Sequence, residues 1–259
     1  MRMIYGVVLG AAFIGGTILL TIASYLAMRF ITGGDPEGRD RELASSIVVR
    51  IAALHGLILA LVFAQEMVEY QQLKYESATE ADAIADVFYD AERYGIEQGL
   101  PIQQALAEYL RVVINQEWAE LGSTGELSQT AWDQWDVAYR GVLDLVPATG
   151  RQASLRDHML RQMQAIAEVR VKRDNHGPDS INVMFWFAAL SGVILVAFGY
   201  YPYAPERRTV MLLSVVGAYT GIILFLIYAF SNPYSQPGTL NPSAYLRLQK
   251  EIASPPEAS

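Results

Sequence analysis

The stretch VVRIAALHGLILALVFAQEMVEY, Val48 to Tyr70, carries Arg50, His55 and Glu66 in an otherwise apolar run. Ionisable side chains at membrane depth are costly, so each needs a physical reason. An imidazole or a carboxylate there can pass protons, hold a metal or line a path for ions. At about 100° per residue, His55, Leu59, Val62, Glu66 and Glu69 fall within about 40° of one line along a helix. Arg50 lies on the far side, about three residues inside the run, where its long side chain can snorkel to the interface. Two readings of the stripe stay open. His55 can be hydrogen-bonded to a neighbouring helix while Glu66 and Glu69 belong to a helix leaving the lipid. Alternatively, the stripe faces a water-filled path in which Leu59 and Val62 form an apolar constriction that gates by dewetting. On the second reading the pore-lining candidates are His55, Leu59, Val62 and Glu66.

Other chemistry is sparse. The chain has no cysteine, which excludes disulfides, thiol catalysis and cysteine-ligated metals. It contains no Gly-rich phosphate loop, no G-x-S-x-G elbow and no H-E-x-x-H motif. The other apolar runs offer His55 no His, Asp or Glu partner at depth, so neither a metal nor a redox cofactor is expected. No catalytic residue, cofactor site or metal site is assigned, and the chain is not expected to be an enzyme. His158, in LRDHMLRQM, and His176, in RDNHGPD, read as surface histidines. The acidic stretch ESATEADAIADVFYDAE lacks EF-hand spacing and reads as a solvated helix face rather than a calcium site. Trp132 and Trp135 are spaced i, i+3 and read as core packing, with a partner surface as the alternative.

Composition sets the elements that position these groups. Of 259 residues, 52% are hydrophobic and only 18% charged, an apolar balance for a chain of this size. Four runs approach the roughly 20 apolar residues that cross a bilayer as a helix: Met3 to Met28, Ile47 to Phe63 (extending to Met67), Ile181 to Tyr200, and Val210 to Phe230. The first is longer than a signal-peptide core and is expected to be retained. FITGGDPEGRDRE and YYPYAPERR are short aqueous connectors, and Trp186 and the loop tyrosines suit a membrane interface. Four crossings would put both termini and the long middle segment on one side. Lys and Arg near the span ends, Arg170 and Arg173 among them on the side of the termini, are so evenly divided between the two sides that charge does not fix the orientation.

The middle segment is acidic, with 19 acidic and 10 basic residues between Glu69 and Asp179. That argues against nucleic acid as a partner, since phosphate contacts need Lys and Arg. No Gly or Pro interrupts Leu57 to Tyr94, so the second span is expected to continue as one long helix, with a competing break at the capping pattern Ser77-x-x-Glu80. Gly99-Leu100-Pro101 is expected to end one helix and start the next. Ser128 is a candidate N-cap, and a last helix is expected over about Gln152 to Arg173. The fold class is therefore an all-α membrane protein: transmembrane helices in residues 1–68 and 181–231, a helical extramembrane domain over 69–180, and a proline-containing C-terminal tail over 232–259.

In order along the chain, LALVFAQEMVEYQQLKYESATEADAIADVFYDAERY, YLRVVINQEWAEL, AWDQWDVAYRGVLDLVPATGRQ, AIAEVRVKRDNHGPDSINVMFWFAALSGVILVAFGYY and SNPYSQPGTLNPSAY resemble the bestrophin-like family of four-span bacterial membrane proteins. The resemblance runs from about Asp40 to Leu248. It implies a homo-oligomeric ion channel in the bacterial plasma membrane, pentameric in its known members and selective for anions. It further implies an apolar neck on the second span, and a cytoplasmic helical region and termini. The family's usual aspartate before a proline-aromatic-x-Gly turn is replaced here by Ser231 and Asn232, and its usual Asn-Asp after the first loop by Asp40 and Arg41. Glu66 and Glu69 would add negative charge to the stripe, which favours cations and opposes the implied anion selectivity. The alternative from another class is an accessory or structural membrane subunit whose acidic helical domain binds a larger membrane complex.

Overall fold

A computed structural model describes residues 2–33, 38–174 and 181–253. His176 and the end of the proline-bearing tail lie outside the described residues. Among those described there is no strand; the elements are α1 (Arg2–Thr32), α2 (Gly38–Tyr94), α3 (Ile96–Val112), a π-helical turn (Val113–Glu117), α4 (Trp118–Ser123), α5 (Gln129–Leu143), α6 (Gly150–Asp174), α7 (Val183–Phe198), α8 (Arg207–Ser231) and α9 (Ser243–Ala253). The chain divides into two units: residues 1–68 with 181–231, and residues 69–180 with 232–259.

The first unit holds α1, the first part of α2, α7 and α8. Among the described residues three helices, α1, α2 and α8, are long and apolar enough to cross a membrane. The third apolar run forms only the 16 residues of α7, about 24 Å at the helical rise against a hydrocarbon core of about 30 Å. Large apolar side chains cover the outside of this unit, Val7, Leu19, Leu54, Leu61, Met211 and Leu212 among them, as lipid requires.

Small residues let its helices approach. A Cβ on Gly217 would lie 2.9 Å from the Ile18 Cα, and one on Gly221 would lie 2.8 Å from the Ile14 Cα. Gly217 and Gly221 thus form a G-x-x-x-G seam between α8 and α1. Thr17 and Thr21 beside it donate their hydroxyl protons to the carbonyls of Phe13 and Thr17 at 2.8 and 2.7 Å. Asn182 starts α7 by accepting from the Met184 amide at 2.9 Å. The hairpin after α7 is held by Tyr25, which donates to the Tyr203 carbonyl at 2.7 Å, by Arg29 on the same carbonyl at 3.0 Å, and by Arg41 on that of Pro202 at 3.2 Å.

In the second unit, α2 runs without a break to Tyr94. Ser77 caps no new helix; its hydroxyl donates to the Leu73 carbonyl at 2.8 Å inside the continuous one. The chain turns at Gly95, whose φ of 158° lies where L side chains rarely go, and Pro101 sits inside α3 rather than opening it. Gly99 is there for contact: a Cβ would fall 2.0 Å from the Ala91 carbonyl oxygen. The core joins Leu73, Ile84 and Val87 of α2 to Leu106 and Leu110 of α3 and to Met159, Met163 and Ile166 of α6. Tyr234, Leu240, Tyr245 and Leu248 belong to the same core. The described part of the segment after Ser231 therefore packs into this unit and carries a helix of its own, α9, which the density of prolines in the sequence obscures.

Candidate functional site

The α2 stripe is one packed face. His55, Leu59 and Glu66 are 9%, 2% and 5% exposed, and Val62 is half-buried with Phe63 against the cluster formed by Leu59, Ala189, Leu224 and Ile227. On the opposite side Leu54, Leu57, Ile58 and Leu61 are exposed, and so is Arg50. The packing partners come from α7 and α8, so within one chain this stripe fixes the rotation of α2 about its axis. His55 lies against α7 at Gly192, where a Cβ would fall 1.9 Å from its Nδ1. Val48 meets Gly199 in the same way, at 1.6 Å from its Cγ2. His55 and Leu59 also line a cavity of about 350 Å³.

The second unit contains a site that the local sequence pattern did not mark. Four charged side chains, Glu80, Glu117, Arg170 and Arg173, are wholly buried. Arg170 and Arg173 are one turn apart on α6 and both reach Glu117, which the π-helical turn delivers into the core. Such a turn widens the helix locally and often accompanies an unusual side-chain demand. Arg170 forms a fork on Glu117, with Nη1 at 3.2 Å from Oε1 and Nη2 on Oε2. It also donates to the Ser128 carbonyl at 2.8 Å, while the Ser128 amide donates to Glu117 at 2.9 Å. Ser128 does precede α5, but its backbone rather than a side-chain cap makes these bonds. Arg173 donates to Glu117 at 2.7 Å and to the Tyr245 hydroxyl at 2.6 Å, and pairs with Glu80 at 3.2 Å. Tyr109 donates to Glu80 at 2.5 Å.

Aromatic faces complete the enclosure. Arg170 lies 4.6 Å over the Trp132 ring, and Arg173 lies 5.7 Å over that of Tyr245. Burial pushes the phenols of Tyr109, Tyr234 and Tyr245 upward, so all three stay protonated and act as donors. Two carboxylates and two guanidiniums balance in charge, and α2, the π turn, α6 and α9 are drawn to one point. Among the described residues no group of His, Asp and Glu is arranged to hold a metal.

Three readings of this unit are corrected. The acidic stretch of α2 is not simply a solvated face, because Glu76, Glu80 and Asp90 are buried. His158 is not an unengaged surface histidine: its Nδ1 lies 2.7 Å from Asp90, which also accepts from Arg93 at 2.9 Å. Arg170 and Arg173 are core residues rather than basic residues beside a span. Trp132 and Trp135 do pack together at 5.6 Å between ring centroids, and Trp135 donates to the Met163 carbonyl at 3.0 Å.

The turn that departs from the family pattern has its own solution. The Asn232 Oδ1 accepts from the amides of Tyr234 and Ser235, both at 3.2 Å, and its Nδ2 donates to the Gly122 carbonyl at 3.1 Å. Asn232→Asp keeps the two acceptor contacts but sets an oxygen against the Gly122 carbonyl. A loss of about 1 kcal/mol is expected, read as a lower melting temperature; an unchanged or higher one would show that the amide donor is dispensable.

Comparison with known proteins follows the same lines. The family model described as the Bestrophin-like domain matches residues 15–245. Among solved structures, a bacterial bestrophin homolog from Klebsiella pneumoniae, carrying an isoleucine-to-threonine mutation, superposes with a TM-score of 0.66 at 8% sequence identity. The match covers 95% of this chain and 99% of that one. At such identity the likeness is one of fold. No curated protein matches the chain.

Proposed function

Since the chain belongs to the Bestrophin-like family, we propose that it is a passive ion channel assembled from several copies in a bacterial plasma membrane, with α2 of each copy beside the path. In this reading α7 is the third of four crossings, its short apolar length extended by Ile181 and by the tyrosines after Phe198. Both termini and the helical unit then face the cytoplasm. No covalent chemistry is involved, and anion selectivity and a pentameric ring rest on the family resemblance alone.

The observation that carries the reading is the two-sidedness of α2. One face is locked to α7 and α8 of its own chain. The other, through Leu54, Ile58 and Leu61, is apolar, exposed and available to a shared path or a neighbouring copy. We assign the constriction to that open face. His55, Leu59, Val62 and Glu66 then act from behind it, holding α2 at a fixed rotation.

The absence of native cysteine makes the test direct. Single cysteines are placed at Leu54, Ile58, Leu61, His55, Leu59 and Val62, and currents are recorded from reconstituted protein during exposure to a charged thiol reagent. Rapid block at the first three positions and none at the others is expected. Block confined to Leu59 and Val62 would return the lining to the buried stripe, and a protein that carries no current in lipid would remove the channel reading. The packed, apolar stripe within each chain favours one alternative, an accessory membrane subunit, which would copurify with a larger membrane complex at fixed stoichiometry.

A further inference from the structure

One full charge of α2 falls on the open face rather than on the packed stripe. At about 100° per residue, Leu43, Arg50, Leu54, Leu57 and Leu61 lie within about 30° of a single line along the helix. All four leucines are more than half exposed, and Arg50 is exposed with them. Arg50 stands one turn, about 6 Å, from Leu54, on the side of the loop before α2.

Nothing near that guanidinium cancels it. The helices α1, α7 and α8 contain no carboxylate. Along α2 the nearest carboxylates are Glu42 and Glu66, about 12 and 24 Å away at the helical rise. Glu66 is buried with His55 and Leu59, about 150° around the helix from the line of Arg50. The acidic group therefore stands behind the face that Leu54, Ile58 and Leu61 present, and the basic group stands on it. An ionised side chain at membrane depth is costly against hydrocarbon and almost always faces a bundle interior or a water-filled cavity. An exposed, unpaired Arg50 on this line thus points to water in front of α2.

We propose that Arg50 sets the charge preference of the path, one guanidinium per copy standing at the mouth of the constriction and favouring small inorganic anions over cations. The assignment rests on the channel reading and gives it a substrate class. It also supplies a physical cause for anion preference in this chain, since the buried Glu66 no longer opposes it as a lining charge. At about 6 Å in water one positive charge favours an anion and disfavours a cation roughly threefold each. The ratio of the two permeabilities then changes about tenfold per copy before salt screens the charge.

The test reads reversal potentials of the full chain in planar bilayers under a potassium chloride gradient. The wild type should prefer chloride, and Arg50→Lys should keep that preference. Arg50→Gln should lower the chloride-to-potassium ratio about tenfold, and Arg50→Glu should turn the preference to potassium. Arg50→Cys should start like Arg50→Gln. A cationic thiol reagent should then restore the preference for chloride, and an anionic one should turn it to potassium. Each comparison is made before and after reagent on the same conducting protein, so a fault in assembly cannot imitate the result. A cysteine at position 50 that aqueous reagents cannot reach, as when Arg50 snorkels to lipid or is covered by a neighbouring copy, overturns the proposal. A wild type that prefers potassium does the same. Currents whose ion preference ignores every change at position 50 sink the assignment and leave the channel standing, whereas a wild type without current removes both.

Discussion

Glu117→Ala is expected to cost about 3–5 kcal/mol of stability, the range for removing one partner of a buried charge network. The loss would exceed that of any exposed ion pair in the chain. Glu117 is the acceptor shared by Arg170, Arg173 and the Ser128 amide. Its removal leaves Arg170 facing Tyr109, Trp132 and the Ser128 carbonyl with no counter-charge, while Arg173 keeps only Glu80 as an anionic partner. Glu108→Ala provides the control. Glu108 forms a forked pair with Arg111 on the surface, and such a pair contributes at most about 1 kcal/mol. Thermal unfolding of the purified protein, followed by circular dichroism, separates the two: a large fall for Glu117→Ala and almost none for Glu108→Ala. Equal effects would mean that water reaches the network. Replacing Glu117, Arg170 and Arg173 together by apolar residues of similar volume should cost less than Glu117→Ala alone, because desolvation opposes the ion pairs but not their replacements.

The sequence could not expose that network, and the reason is physical. A helix with charges at every turn looks the same whether those charges meet water or one another. Glu117 and Arg173 lie 56 residues apart and His158 and Asp90 lie 68 apart, separations that no local period reports. Hydropathy, by contrast, is a local property with a large free energy behind it. The apolar runs became α1, α8 and the first part of α2, and the absence of Gly and Pro between Leu57 and Tyr94 became one continuous helix. Gly99 misled because glycine has two uses. Beside Leu100-Pro101 it suggests a chain break, whereas its lack of a side chain lets α3 approach Ala91. The G-x-x-x-G spacing at Gly217 and Gly221 was a readable signal for the α1–α8 seam, since small residues four apart on an apolar helix mark close packing. The angular stripe on α2 was likewise real as a face. Periodicity identifies which residues share a side, but not whether that side meets water, lipid or protein.

That last distinction can be forced by changing the contact that holds α2 in place. Gly192→Val should be strongly damaging to the first unit, because its Cβ would enter the His55 ring at 1.9 Å from Nδ1 and 2.5 Å from Cε1. Leu59, one turn away, is packed against Ala189 and Leu224, which holds the helix backbone behind the ring. Overpacking of this kind costs about 1–3 kcal/mol, and the cheapest relief is a rotation of α2. The expected result is a lower melting temperature together with altered conductance, although neither residue is proposed to touch the ion. His55→Ala removes the obstructing ring, so the double variant Gly192→Val/His55→Ala should recover stability beyond the sum of the single changes, with a favourable coupling of about 1–3 kcal/mol. If rotation is what alters the current, conductance should recover in the same double variant. Recovery of stability without conductance would mean that His55 acts on the ion itself. Additive losses would mean that the contact between α2 and α7 does not set the rotation of the helix at all.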